Sequence, residues 1–237
     1  MSWGPNSKLL RRALVGVLLL STAGTAAANV LVVRSSNPSY RAGQSLPDNA
    51  RLTLRPGETV TVLARGGTRT FRGPGSFAAN GAPGGPVLAA DANGRQARVG
   101  AVRDAGVVPR GPTIWHVDVT QSGTFCLTSG ADVMLWRPDA SAPARFTIAG
   151  PGGTRTLNWA ANEPTTGWPR GAAIANGATY TFAQPDVAVP VSITFRIISP
   201  PPRDVQGVAS ALIAAGCQGQ LDVLVESQPQ QTASAGN

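Results

Sequence analysis

Two stretches decide how this chain is read: VTVLARGGTRTF at residues 60–71 and FTIAGPGGTRTL at residues 146–157. Each runs from an alternating apolar segment through a glycine pair into Thr-Arg-Thr. A nucleotide loop needs GxxxxGK followed by Ser or Thr, set between a strand and a helix. Neither stretch has that lysine, and the chain's one lysine is Lys8. Glycine accepts positive φ and so permits a tight reversal, while period-two alternation is the mark of a half-buried strand. Both stretches are therefore predicted as β-hairpins, with turns near 65–67 and 151–153 and with Arg69 and Arg155 in equivalent positions. No nucleotide and no other cofactor is expected.

Working outward, NVLVVR from residue 29 reads as a first strand. Ala50–Leu54, Thr59–Ala64 and Thr68–Phe71 follow, separated by RPG and RGG. In Thr59–Ala64, Val60 and Val62 share one face, and Thr59, Thr61 and Leu63 share the other. Residues 73–113 are dense in glycine, alanine and proline and connect two halves, with Val87–Arg103 read as a short helix or a sheet-crossing loop. From 113 onward TIWHVDV, QSGTFCL, ADVMLWR, ARFTIAG, TRTLNWA, ATYTFAQ and VSITFRII give further strands. Short strands and turns at this spacing are what a β-sandwich or barrel-like domain produces. After ISPPPR, the positions Val205, Val208, Leu212 and Ala215 recur at helical spacing, with Ile213, Cys217, Leu221 and Leu224 continuing a related stripe. One helix is predicted over 204–225, capped by Asp204. The expected fold is mainly β: two β-rich parts, 29–112 and 113–226, the second ending in that helix. Residues 227–237 carry no signal for order.

The first 28 residues read as a secretory leader. Lys8, Arg11 and Arg12 precede the apolar run Ala13–Leu20, and small residues lead to Ala26-Ala27-Ala28, with cleavage expected after Ala28. The apolar run is shorter than the roughly 20 residues of a transmembrane helix, so no stable membrane span is expected once the leader is removed; a retained anchor is the alternative. The mature chain then carries seventeen arginines against twelve acids. Those arginines are scattered singly, whereas nucleic-acid binding needs a concentrated basic stripe, so no nucleic-acid partner is expected. Cys126 and Cys217 are the only cysteines. In an exported chain that count predicts one disulfide, worth about 4 kcal/mol through loop entropy. The chain is placed in the periplasm or outside the cell.

Catalytic constellations are sparse. His116 is the single histidine, which excludes a histidine metal cluster; Asp118 lies two residues on, on the same strand face, close enough in sequence to pair with it. Asp132, Asp139, Glu163 and Asp186 are loop-proximal acids of the kind glycoside hydrolysis uses in pairs, but nothing selects two of them. Trp115, Trp136, Trp159 and Trp168, with Tyr180, make the second half aromatic-rich. Trp168, in NEPTTGWPRG, stands in an irregular segment and is a candidate for ligand contact or loop anchoring. Arg69 and Arg155 are further candidates for partner contact.

The segment from Ala42 to Phe77, AGQSLPDNARLTLRPGETVTVLARGGTRTFRGPGSF, resembles the short-strand region of FecR-like periplasmic domains and the N-terminal regions of uncharacterised exported alphaproteobacterial proteins. CLTSGADVMLWR and AAGCQGQL resemble the remainder of those exported proteins. The resemblance implies β-structure presented for envelope signalling or scaffolding. The family's cytoplasmic N-terminal portion and membrane helix have no counterpart here, so it does not imply sigma-factor signalling, and no functional residue carries over. The expected function is a non-catalytic envelope binding or scaffolding module engaging an envelope protein or a cell-wall polymer. The rival expectation is an envelope glycan hydrolase with two loop carboxylates.

Overall fold

A computed structural model describes residues 29–81 and 111–234. The leader with its cleavage point, and the segment expected at Val87–Arg103, lie outside the described residues. The first part forms β1 (Asn29–Ser35), β2 (Ser45–Pro47), β3 (Arg51–Leu54), β4 (Thr59–Ala64), β5 (Gly67–Arg72) and β6 (Gly75–Ala78). The second forms β7 (His116–Asp118), β8 (Gly123–Thr128), β9 (Met134–Trp136), β10 (Ala144–Gly150), β11 (Gly153–Trp159), β12 (Thr165–Gly167), β13 (Thr179–Ala183) and β14 (Val191–Ile198). The chain then runs through α1 (Val205–Ala215) and α2 (Gln218–Ser227) into β15 (Gln230–Ser234). Among the described residues no helix is long and apolar enough to cross a membrane.

The strands make two five-stranded sheets, ordered β15-β5-β4-β1-β2 and β11-β10-β13-β14-β8, with a smaller sheet β12-β9-β7 and the pair β3-β6. Most neighbours are antiparallel, but β8 runs parallel to β14, β15 to β5 and β7 to β9. The fold is thus mainly β as expected. The expectation of a sandwich or barrel is corrected: the sheets are mixed, and none closes on itself or stacks as one clear pair of layers.

Three clusters fill the interior. Val30, Val32, Leu52, Leu54, Val60, Val62 and Phe71 pack in the first part, and Phe146, Ile148, Trp159, Phe182 and Phe195 anchor the second. A third cluster joins Leu31, Val33 and Leu63 to Cys126, Leu212, Cys217 and Leu221. The strand alternation explains this division. In β4, Val60 and Val62 face the first cluster, while Leu63 points the opposite way into the third. The helices form a shared layer touching both halves, so each half lends apolar surface to a common centre.

The single helix expected over 204–225 is two. Asp204 does cap the start, its side chain accepting from the Gly207 N–H at 2.7 Å. Gly216 then adopts φ 74° and ends α1, with its N–H reaching Ile213 O and the Cys217 N–H reaching Leu212 O. That left-handed residue is the usual helix stop, for which glycine bears no Cβ penalty. The break turns Cys217 into the interior and restarts the chain as α2. The expected stripe holds at Leu212, Cys217, Leu221 and Leu224, but Val205 is exposed. The tail is corrected as well: residues 230–234 pair with β5 over the full register Gln230↔Thr68 to Ser234↔Arg72.

The disulfide Cys126–Cys217 is formed, with Cα atoms 5.9 Å apart and both residues fully buried. It fastens the start of α2 to β8, as an oxidising compartment permits. Beside it, the buried Gln220 side chain accepts from the Cys126 N–H (2.6 Å) and donates to the carbonyls of Cys126 (2.9 Å) and Ile114 (2.7 Å). On the other side, Gln206 donates to Asn29 O and Leu63 O, and Arg34 pairs with Asp222.

Candidate functional site

The two GGTRT stretches are hairpins with the same register. Both close over two residues, Arg65-Gly66 and Pro151-Gly152, with Ala64 opposite Gly67 and Gly150 opposite Gly153. The residue after each turn has positive φ, 126° at Gly67 and 91° at Gly153, which requires glycine at both. Arg69 stands opposite Val62 and Arg155 opposite Ile148, at the same distance from the turn. Cross-strand threonines match too: Thr61 faces Thr70, with hydroxyls 3.0 Å apart, and Thr147 faces Thr156.

What lies outside each hairpin differs. The outer edge of β5 is covered by β15: the Thr68 N–H donates to Pro229 O (2.9 Å), and Arg69 Nε donates to Gln231 Oε1 (3.0 Å). β11 ends its sheet, and Gly153 to Thr156 are all exposed. Arg155, with no glutamine beside it, donates through Nη1 to the carbonyl of Thr154 (3.0 Å). A strand edge is a row of unpaired N–H and C=O groups, a ready template for another strand. The edge of β8, six residues long at the far side of the same sheet, is interrupted at its middle, where the Gln220 amide pairs with both backbone groups of Cys126. β2, β7 and β12 are three residues each. With seven residues, β11 is the longest open edge among the described residues.

Two clefts open among the described residues. One, of about 500 Å³, opens between β7–β8 and α2 and is lined by His116, Asp118, Ser122, Gln218 and Asp222 among others. Several of its polar groups are engaged locally. His116 Nδ1 pairs with Thr113 Oγ1 at 2.8 Å, and Asp118 accepts from the Thr120 N–H and hydroxyl at 2.8 and 2.6 Å. The His116–Asp118 pairing suggested by their spacing does not form, since the turns flanking β7 supply nearer partners. Asp222 is held by Arg34 and by Gln218 Nε2. The second cleft, about 640 Å³, surrounds the first hairpin turn and presents Arg65 and Arg69 together with Asp48 and Asp204. Both signs of charge line it, so it is no anion cradle.

The remaining candidates are dispersed. Asp132, Asp139, Glu163 and Asp186 are all exposed and line neither cleft. Ser141 donates to Asp139 through its hydroxyl (2.7 Å) and its N–H (2.9 Å), and these bonds hold that carboxyl below its ordinary value. Among the described residues no group of three His, Cys, Asp or Glu side chains could hold a metal ion. Trp168 is half-buried and lies edge-on to Tyr180 (5.3 Å), Phe195 (5.5 Å) and Phe182 (6.1 Å), while its Nε1 donates to Ala172 O at 2.7 Å. That geometry anchors its loop. Trp136 and Trp159 are buried, and Trp115 is half-buried.

Two structural residues escaped the sequence reading. Arg137 is buried, stacks over Trp159 at 5.0 Å and donates to the carbonyls of Ala142, Ala160 and Glu163, tying two loops together. Nothing in ADVMLWR marks that arginine as interior. Gln220 was detectable, since it falls on the Cys217, Leu221, Leu224 stripe of α2 and a polar residue on a buried stripe needs partners. No family model, curated protein or solved structure matches this chain.

Proposed function

We propose that this protein is an exported, non-catalytic binding or scaffolding module of the periplasm or cell exterior, and that it engages a polypeptide partner by adding a strand to the open edge of β11. The observation that carries the reading is the contrast between the two hairpins: one TRT edge is occupied by a strand and its duplicate is free. In strand addition the main-chain bonds supply affinity and alternate side chains supply selectivity. Leader-like residues at 1–28, the buried disulfide and the FecR-like resemblance of residues 42–77 support an envelope setting.

The hydrolase reading draws less support. Asp118 and Asp222 share one cleft and are engaged by Thr120 and by Arg34, while Asp48 and Asp204 share the other, where Asp204 caps α1 through the Gly207 N–H and Arg65 and Arg69 line the same walls. A cell-wall polymer would find no exposed tryptophan platform among the described residues, because Trp168 is committed to Tyr180, Phe182 and Phe195.

The test is cross-linking mass spectrometry on the intact protein incubated with envelope extract, compared with Thr156→Pro. Cross-links to partners that map to residues 153–159 and vanish in the variant are expected. Turnover of an envelope glycan, with no such cross-links, would reverse the assignment.

A further inference from the structure

Resting on that strand-addition reading, we infer the partner's chemistry: an uncharged polar segment in extended conformation, running parallel to β11, with a glutamine opposite Arg155 and small residues after it. The protein contains its own example of such a ligand. β15, of sequence QQTAS, lies parallel on the Thr-Arg-Thr of β5 with Gln230 opposite Thr68, Gln231 opposite Arg69 and Thr232 opposite Thr70. Its side chains are exposed except for Ala233, so backbone bonds, the Arg69–Gln231 contact and the bonds of Gln230 Nε2 to Val225 O and Gln228 O hold it rather than apolar burial.

β11 repeats that receiving surface. Thr154, Arg155 and Thr156 occupy the register of Thr68, Arg69 and Thr70. The bond from Arg155 to Thr154 O shows that the Thr154 carbonyl faces away from β10. Strand alternation turns Thr156 and Asn158 the same way, as the N–H of Thr68 turns toward Pro229. The approach is also clear. At Gly67 a Cβ would collide with the Pro229 carbonyl where the covering strand crosses, whereas at Gly153 it would meet only Arg155 Nη1, at 3.9 Å. A strand can therefore cross beside Gly153 as the chain crosses beside Gly67. Arg155 then exchanges the Thr154 carbonyl for the incoming glutamine, the contact Arg69 already makes.

The probe is a fluorescently labelled peptide of residues 229–237, PQQTASAGN, titrated into the intact protein and read by fluorescence polarisation. Saturable binding is expected, weakened at least about tenfold by Thr156→Pro, since one ladder hydrogen bond is lost and about 1.4 kcal/mol is tenfold. Proline there removes an outward N–H and leaves the β10 ladder intact; Asn158→Pro serves if Thr156→Pro fails to fold. Replacing the peptide's Gln231 by alanine, and Arg155→Ala in the protein, are each expected to weaken binding, and together by less than the product of the two effects. Binding unaffected by both proline variants overturns the inference, because it places the peptide elsewhere, as on β5. Indifference to the glutamine overturns it too. If PQQTASAGN does not bind while an unrelated valine-threonine peptide does so in a Thr156→Pro-sensitive way, the partner chemistry falls and the edge stands. If neither binds, both fall.

Discussion

Gln220→Leu isolates the contact that caps β8 at Cys126. Leucine nearly matches glutamine in volume, so the substitution leaves little cavity and tests hydrogen bonding. The glutamine amide satisfies three backbone groups, the N–H and C=O of Cys126 and the C=O of Ile114. Ile114 lines the 500 Å³ cleft, where water replaces the lost donor. Cys126 is 0% exposed, so its two groups are stranded. At about 1–3 kcal/mol for each stranded group the variant loses roughly 2–6 kcal/mol, or roughly 5–20 °C of melting temperature for a chain of this size. Urea denaturation under non-reducing conditions, with the disulfide intact, measures the loss, and an unchanged m-value shows that it belongs to the native state. Gln220→Glu is expected to be worse at neutral pH, because its carboxylate confronts two carbonyl oxygens, and to recover as acid protonates it. A Gln220→Leu protein within about 1 kcal/mol of the original would refute the reasoning, since one stranded group alone costs that much.

Three further outcomes are expected. Replacing Cys126 and Cys217 together by alanine removes the constraint on residues 126–217 and lowers stability by about 4 kcal/mol; denaturation curves measure this, and non-reducing mass spectrometry of the original protein finds no free thiol. Arg137→Met keeps the apolar stem but cuts three carbonyl contacts and the stacking on Trp159, costing roughly 2–4 kcal/mol, with hydrogen exchange quickening first in the loops at 138–143 and 160–164. Asp139 titrates below 3.8 because the Ser141 hydroxyl, then the Ser141 N–H, donates to its charged form. A depressed folded value means that its small contribution is present above the unfolded pKa and is lost as pH falls through the folded one; in an NMR titration Ser141→Ala raises the midpoint, and an unmoved midpoint refutes the assignment.

Local pattern carried much of the strand map. Thr59–Ala64, ARFTIAG and VSITFRII form strands at the expected residues, because alternation and flanking turns are written within a few neighbours. The hairpin turns were legible for the same reason: only glycine accepts the φ values found at Gly67 and Gly153. Features that depend on distant partners were not. The break at Gly216 was hidden because the apolar stripe continues across it, and one glycine in a helical pattern signals a cost rather than a stop. β15 was invisible because QQTAS has neither the apolar alternation nor the β-branched content of an autonomous strand; its order comes from a waiting edge 162 residues away at Arg69. Likewise Trp168 reads as a ligand platform in an irregular stretch until Tyr180 and Phe195 are seen around it.

The repeated hairpins show the same dependence on distant partners. The hairpins share turn length, glycine conformation and the placement of arginine and threonine, so local sequence assigns them one structure. Their difference lies wholly in what reaches the outer strand, which no neighbouring residue encodes. At the first, Arg69 is drawn into a contact with Gln231; at the second, Arg155 folds back on the Thr154 carbonyl of its own edge. An arginine on an open edge is one of the devices that discourage indiscriminate strand pairing. Here it also matches the residue that, at the other hairpin, recognises an incoming strand. A guard that becomes a contact when the right glutamine arrives makes the edge selective, whereas an unguarded edge would invite aggregation. In the proposed strand addition, the two hairpins are the occupied and vacant forms of one recognition surface.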